Sequence, residues 1–294
     1  MQPKTGSMKE LGMFFGLTLG LTCLVCWGSL VLFKILAVGL STDSMGPPWA
    51  IALFVLGGFV PSLVAIGLTW QRKGRAGLRA LWKRTFQFRM GGAWYAAILL
   101  VVILGTAGQI AIGRMLGSTV DLSLFLTRIG AALPLIVLGP LSEELGWRGY
   151  ALDRLQTRWN ALAASLILGS IWSLWHLPLW FIIGTGQSGG GCPFLAFLIG
   201  TTATSIFYTW LYNNTDRSIW SAVLLHWAYT YAVKVLTLGI TRTPLYNWLE
   251  PVPYLVMAIA VVIAWGPEGL TRKGARAFRT FEHSHLKGSR NEVR

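Results

Sequence analysis

The sequence predicts an all-α, polytopic membrane helix bundle of about eight transmembrane helices. Three observations carry that reading. Hydrophobic residues make up 54% of the 294 and charged residues 12%, about half the charge of a soluble domain. The apolar residues gather in runs long enough to cross a bilayer, separated by polar connections. The bases gather just outside those runs, as expected of flanks that face anionic headgroups. This placement also turns the net charge of +14 away from nucleic acid. Membrane lipid is the expected partner and nucleic acid is not. One membrane-embedded domain accounts for residues 1–294, ending in a basic cytoplasmic tail over 267–294.

The first span runs over 11–37, too long for a signal-peptide core and without a convincing cleavage site. A base-free loop, 38–48, leads to a second span, 49–70. The connector 71–89 carries seven bases with Leu78, Leu81, Trp82 and Phe86 between them. Part of it has the pattern of an amphipathic helix lying on headgroups. The third span is 91–112, and the fourth begins near Arg128. Its apolar character fades after Leu145, yet no strong breaker follows, so the helix is read on to Trp159. Asn160 is the expected turn, followed by a fifth span over 161–183. A glycine-rich loop, 184–193, has no phosphate-loop pattern. The remaining spans are 194–212, 218–240 and 248–265.

Counting Lys and Arg orients the bundle. With the N-terminus inside, inner segments hold Lys4, Lys9, seven bases in 71–89, Arg148, Arg154, Arg158, Arg217 and seven in the tail, which is 20 of 25. Both termini are therefore expected in the cytoplasm of a multi-pass protein of the cell membrane. Cys23 and Cys26 lie in the first span without a second pair, so they read as packing rather than a redox or zinc motif.

Against this background the chain has only 11 acids, and two of them, Glu143 and Glu144, stand side by side after an apolar run. Carboxylates within a span are costly and by default mark a function. His176 lies in the fifth span and His226 in the seventh. A lone histidine in such a helix is usually a packed, hydrogen-bonded residue. Two of them with a Glu pair are nearly the only polar partners available to one another. Residues equally far from a hairpin turn share a height, and Glu144 and His176 are both 16 residues from Asn160. Arg148 follows Glu144 by four residues, on the same helix face and in the favourable acid-then-base order. Neighbouring glutamates point about 100° apart. Glu143 is therefore expected to serve chemistry and Glu144 to be held by Arg148.

A glutamate near an imidazole acts as general base on water. Two histidines and a carboxylate, here Glu143, His176 and His226, also form a ligand set for Zn2+ or another divalent metal. Either arrangement activates water for attack on a carbonyl, and the residues alone leave open whether a metal takes part. No His-Glu-x-x-His motif and no nucleophile-elbow serine is present.

These residues resemble the motifs of the CPBP intramembrane proteases, the CAAX prenyl protease 2-like or Abi family. Glu143, Glu144 and Arg148 match Glu-Glu-x-x-x-Arg. Trp172 and His176 match Phe-x-x-x-His with one aromatic ring for another. His226 and Thr230 match His-x-x-x-Asn/Asp with a departure, a hydroxyl where the family has an amide or carboxylate. The core motifs span 142–230. The resemblance implies a helical bundle with a cytoplasm-facing intramembrane cavity, and hydrolysis of a peptide bond in a peptide or prenylated protein. It implies that Glu143 and His176 activate water while His226 and Thr230 support the oxyanion or, in the metal reading, His226 binds the ion. A second reading keeps the fold as a catalytically inactive scaffold or bacteriocin-immunity protein, motivated by Thr230. A transporter or proton relay is a third, weakened by the lack of paired repeats.

Overall fold

The computed structural model describes residues 5–36, 47–121, 123, 127, 137–182, 185–188 and 192–271. The start of the fourth span, the 38–46 part of the first loop and the tail beyond 271 lie outside these residues. The described chain is helical, with one isolated antiparallel bridge between Val120 and Ile240. Six of its helices are long and apolar enough to cross a membrane. The expected fourth and seventh spans are helical where described but are not among the six. The fourth is only partly described. The seventh carries His226 and Lys234, which dilute its hydropathy.

Helix α1 comprises Thr5–Leu19, a π-helical stretch Gly20–Cys26, and Trp27–Leu36. Helix α2 is Pro48–Thr85. Its Pro61 has no N–H to give the carbonyl of Gly57 one turn earlier. Thr22 of α1 supplies the missing donor, its Oγ1 lying 3.1 Å from the Gly57 oxygen. A lost helical bond thus becomes a bond between helices. The expected boundary at residue 70 is not a helix end. The helix continues to Thr85 through a break at Gly74, whose φ of 56° and ψ of −150° suit glycine.

Helix α3 is Gly92–Met115. Helix α4 carries the Glu pair and alternates in type: π over Val137–Leu141, α over Ser142–Gly146, π over Trp147–Leu152, and α over Asp153–Leu155. Helix α5 is Ala161–Trp175, capped by the Asn160 side chain, which accepts from the Ala163 N–H at 2.8 Å. The remaining helices are α6, Phe194–Asn214, α7, Ile219–Gly239, the short α8, Pro244–Leu249, and α9, Val252–Trp265.

Small residues set the close contacts, as expected where lipid removes the hydrophobic drive between helices. A side chain at Gly146 would stand 2.5 Å from the Pro61 carbonyl oxygen, so α4 crosses α2 backbone to backbone there. Gly169 does the same for α5 against α6, beside Thr202 and Ser205. One turn away, the Ser165 and Thr209 hydroxyls are 2.7 Å apart. Phe14 of α1 stacks on Tyr150 and meets Trp147 edge-on, at centroid distances of 5.2 and 5.6 Å. Helix α4 is thereby enclosed by α1, α2, α5 and α7, and its residues Ser142–Leu152 are all buried.

Candidate active site

The Glu pair lies in the single α-helical turn between the two π stretches of α4. Glu144 and Arg148 have no exposed surface, and Glu143 retains 8%. The two carboxylates diverge, as their 100° separation demands. Glu144 faces Arg148 and α7. Arg148 Nη1 donates to both Glu144 oxygens at 3.0 Å. His226 Nδ1 lies 2.8 Å from Glu144 Oε1. A carboxylate oxygen only accepts, so this nitrogen carries the proton. Nε2 of His226 is left free of Glu144. The Arg148 guanidinium lies over two rings set nearly at right angles, 3.9 Å from the Tyr208 centroid and 4.4 Å from that of Trp172. Both rings help to compensate the buried cation.

Glu143 faces α5 instead. Its Oε2 accepts the indole N–H of Trp172 at 2.8 Å. This bond corrects the reading of Trp172 as a plain ring substitution. Phenylalanine has no N–H to give, whereas tryptophan holds the carboxylate. Trp172 is the hub of the cluster, with its ring 5.2 Å from His226, 5.8 Å from His176 and 5.5 Å from Tyr208. The signal that could have found it was the residue itself: a buried tryptophan needs an acceptor for its N–H.

His176 stands one turn beyond Trp172, and not inside a continuous helix. Helix α5 ends at Trp175, His176 is its C-cap, and a 3-10 turn over Leu177–Trp180 follows. Pro178 accounts for this, since it cannot continue the α-helical hydrogen bonding. His176 Nδ1 lies 2.8 Å from the Trp172 carbonyl oxygen. The carbonyl makes Nδ1 the donor and leaves Nε2 with its lone pair. Phe197 and Trp175 flank the ring at 5.3 and 4.6 Å.

The expected level of Glu144 with His176 shifts by one turn. The residue bonded to the Glu pair from α5 is Trp172, not His176. Glu143 and Trp172 are symmetric about residues 157–158, within the turn Gln156–Asn160, rather than about Asn160. A strict α-helical count fails because α4 passes through the π stretch Trp147–Leu152. Thr230 lies one turn after His226 on α7, partly buried. Among the described residues it makes no hydrogen bond to Glu143, His176 or His226.

Among the described residues no three His, Cys, Asp or Glu side chains stand close enough together to hold one metal ion. Glu143 and His226 stand against the Trp172 indole, and His176 lies one turn beyond it. As arranged, these three donors do not form a three-ligand metal site.

The comparisons agree with the motifs. Residues 124–232 match the family model described as Type II CAAX prenyl endopeptidase Rce1-like. A curated relative, CAAX prenyl protease 2 of Methanococcus maripaludis, is 33% identical over 129 residues, covering 40% of this chain and 48% of the relative. The chain thus spans about half the length of the curated relative it matches. The segment matched by the family model contains every motif residue from Glu143 to Thr230, and over it the chain is similar to CAAX prenyl endopeptidases.

Proposed function

We propose that the protein is an intramembrane endopeptidase that hydrolyses a peptide bond with a water activated by Glu143 and His176. The single observation that carries this is the division of the Glu pair. Glu144 is consumed by Arg148 and His226, whereas Glu143 has one oxygen on Trp172 and makes no hydrogen bond with the other among the described residues. A carboxylate held at one oxygen is oriented and still able to take a proton at the other.

In this reading Glu143 takes a proton from water while His176, through Nε2, orients it. The hydroxide adds to the substrate carbonyl. His226, held by Glu144 through Nδ1–H, serves the oxyanion as an imidazolium that donates from Nε2. Collapse breaks the C–N bond, and the proton on Glu143 passes to the leaving amine. Trp172 acts as a positioning residue by holding Glu143. Thr230 stands next to this region as a hydroxyl donor from the same helix as His226. The relative's name points to prenylated proteins as the substrate class, and the Lys and Arg count supports access from the cytoplasmic side with both termini in the cytoplasm.

The test uses purified protein in liposomes with a peptide ending in prenylated Cys-a-a-X. The expected result is release of the last three residues, lost in Glu143→Ala, His176→Ala and His226→Ala. Unchanged cleavage in all three variants overturns the proposal. Metal content of protein purified without chelator, compared with a chelator-inhibition curve, separates a metal-assisted form of the reaction from a metal-free one. A scaffold of the same fold is the second reading, favoured by Thr230 standing where the motif has an amide or carboxylate. It expects the cellular phenotype of a stably expressed Glu143→Gln variant to persist.

A further inference from the structure

Helix α2 has 38 residues, about 57 Å at ~1.5 Å per residue, against a hydrocarbon core of roughly 30 Å. Its C-terminal third must therefore leave the hydrocarbon. The break at Gly74 lies where that exit falls, and re-aims the segment 75–85. A shallow, open groove of about 660 Å³ lies along this exit, lined mainly by apolar parts of Trp70, Arg75, Leu78, Arg79, Trp82 and Lys83, with the charged ends of the three bases at its edge. Arg75, Arg79 and Lys83 repeat every four residues, which places them on one helix face. All three are exposed, and none makes an ion pair among the described residues. Trp70 and Trp82 are 50% and 40% exposed beside them. Two half-exposed indoles with three unpaired cations match the two zones of a lipid, acyl boundary and phosphate.

We propose that this groove binds the headgroup of an anionic phospholipid, with Arg75, Arg79 and Lys83 around the phosphate and Trp70 and Trp82 at the level of the ester groups. The occupant is a bilayer lipid rather than a soluble anion, because the groove opens beside the exit of a membrane span and two of its six lining residues are tryptophans.

The site is joined to the catalytic helix by the next residue. Arg84 donates to the Gly149 carbonyl at 2.8 Å, to Asp153 Oδ2 at 2.7 Å and to the Tyr212 hydroxyl at 2.5 Å. A lipid that orders Lys83 orders Arg84, and Arg84 grips α4 one turn past Arg148. Anionic lipid is thus expected to support cleavage as well as to bind. That second statement rests on the proposed protease function, and the first does not.

Native mass spectrometry of the full chain released from vesicles of phosphatidylglycerol and phosphatidylcholine (3:7) reads binding without reference to activity. The expected result is retained phosphatidylglycerol in preference to phosphatidylcholine. The Arg75→Gln/Arg79→Gln/Lys83→Gln variant should bind it roughly a hundredfold more weakly, about fivefold for each base removed. The Arg75→Lys/Arg79→Lys/Lys83→Arg variant should bind normally, which distinguishes loss of charge from loss of fold. Equal retention of both lipids by the wild type, or of phosphatidylglycerol by the Gln variant, overturns the site. Displacement by millimolar inorganic phosphate also overturns it, since a soluble anion would then be the ligand. Loss of binding with cleavage unchanged in phosphatidylglycerol vesicles keeps the site and overturns only its link to the reaction.

Discussion

Two ion pairs sit nine residues apart on helix α4, and they differ in almost every physical respect. Glu144–Arg148 is formed within one helical turn, and neither side chain is exposed. Asp153–Arg84 joins α4 to α2, with both side chains about a quarter exposed. The outer pair belongs to an architectural clamp. Tyr212 donates to Asp153 Oδ1 at 2.8 Å, and Arg84 also reaches the Gly149 carbonyl. Both charges of the outer pair keep contact with water, so the charge on Asp153 is mild to lose. The inner pair has no such contact. Burying two charges is costly, and a packed apolar pair would often be as stable. A buried pair that adds little stability, with His226 bonded to the same carboxylate, supports the proposed role of this cluster in the reaction. One helix thus carries a charge pair near water that ties elements together and a charge pair wholly out of water.

Breaking the inner pair on one side should have the largest effect. Glu144→Ala leaves Arg148 buried without its carboxylate, and unfolding in detergent should show a loss of about 3–5 kcal/mol. Replacing both, as Glu144→Leu/Arg148→Met, should restore stability to near wild type while cleavage remains lost. A double variant that is stable and active would erase the distinction between the two pairs. Within the site, Trp172→Phe restores the residue type of the family motif but removes the N–H on Glu143. A bond to a charged group contributes about 1.5–3 kcal/mol, so kcat should fall roughly tenfold to a hundredfold with KM little changed. An equal change in KM would mark Trp172 as packing only. The smallest effect belongs to the outer clamp. Asp153→Asn keeps an acceptor for Arg84 and loses only charge, so stability should fall by less than about 1 kcal/mol and cleavage should stay within about threefold.

The comparison also locates what the sequence made legible. Apolar runs and flanking bases announce a bilayer solvent directly, so the helical bundle is readable from hydropathy. Glu143 and Glu144 stand out because so few acids exist to compete with them. The Glu144–Arg148 pair follows from i,i+4 geometry alone, since it lies within one helix. Contacts between helices were less accessible. The register that brings Trp172 to Glu143 depends on the π stretch Trp147–Leu152, which hydrophobic periodicity does not reveal. The end of α5 at Trp175 was signalled by Pro178 but masked by the continuous apolar run around it. Arg84 is one of seven bases in 71–89, and nothing in that run distinguishes the one that turns inward to Asp153 and Gly149.

The central claim is that Glu143, and not its neighbour's ion pair alone, carries the chemistry. The most direct measurement is single-turnover cleavage of a prenylated Cys-a-a-X peptide in liposomes by wild type and by Glu143→Gln. Glutamine keeps the volume and an acceptor for the Trp172 N–H but takes no proton from water. The expected result is cleavage by the wild type, a loss of about a hundredfold or more in the variant, and an unchanged unfolding transition. Cleavage by Glu143→Gln at the wild-type rate would contradict the account.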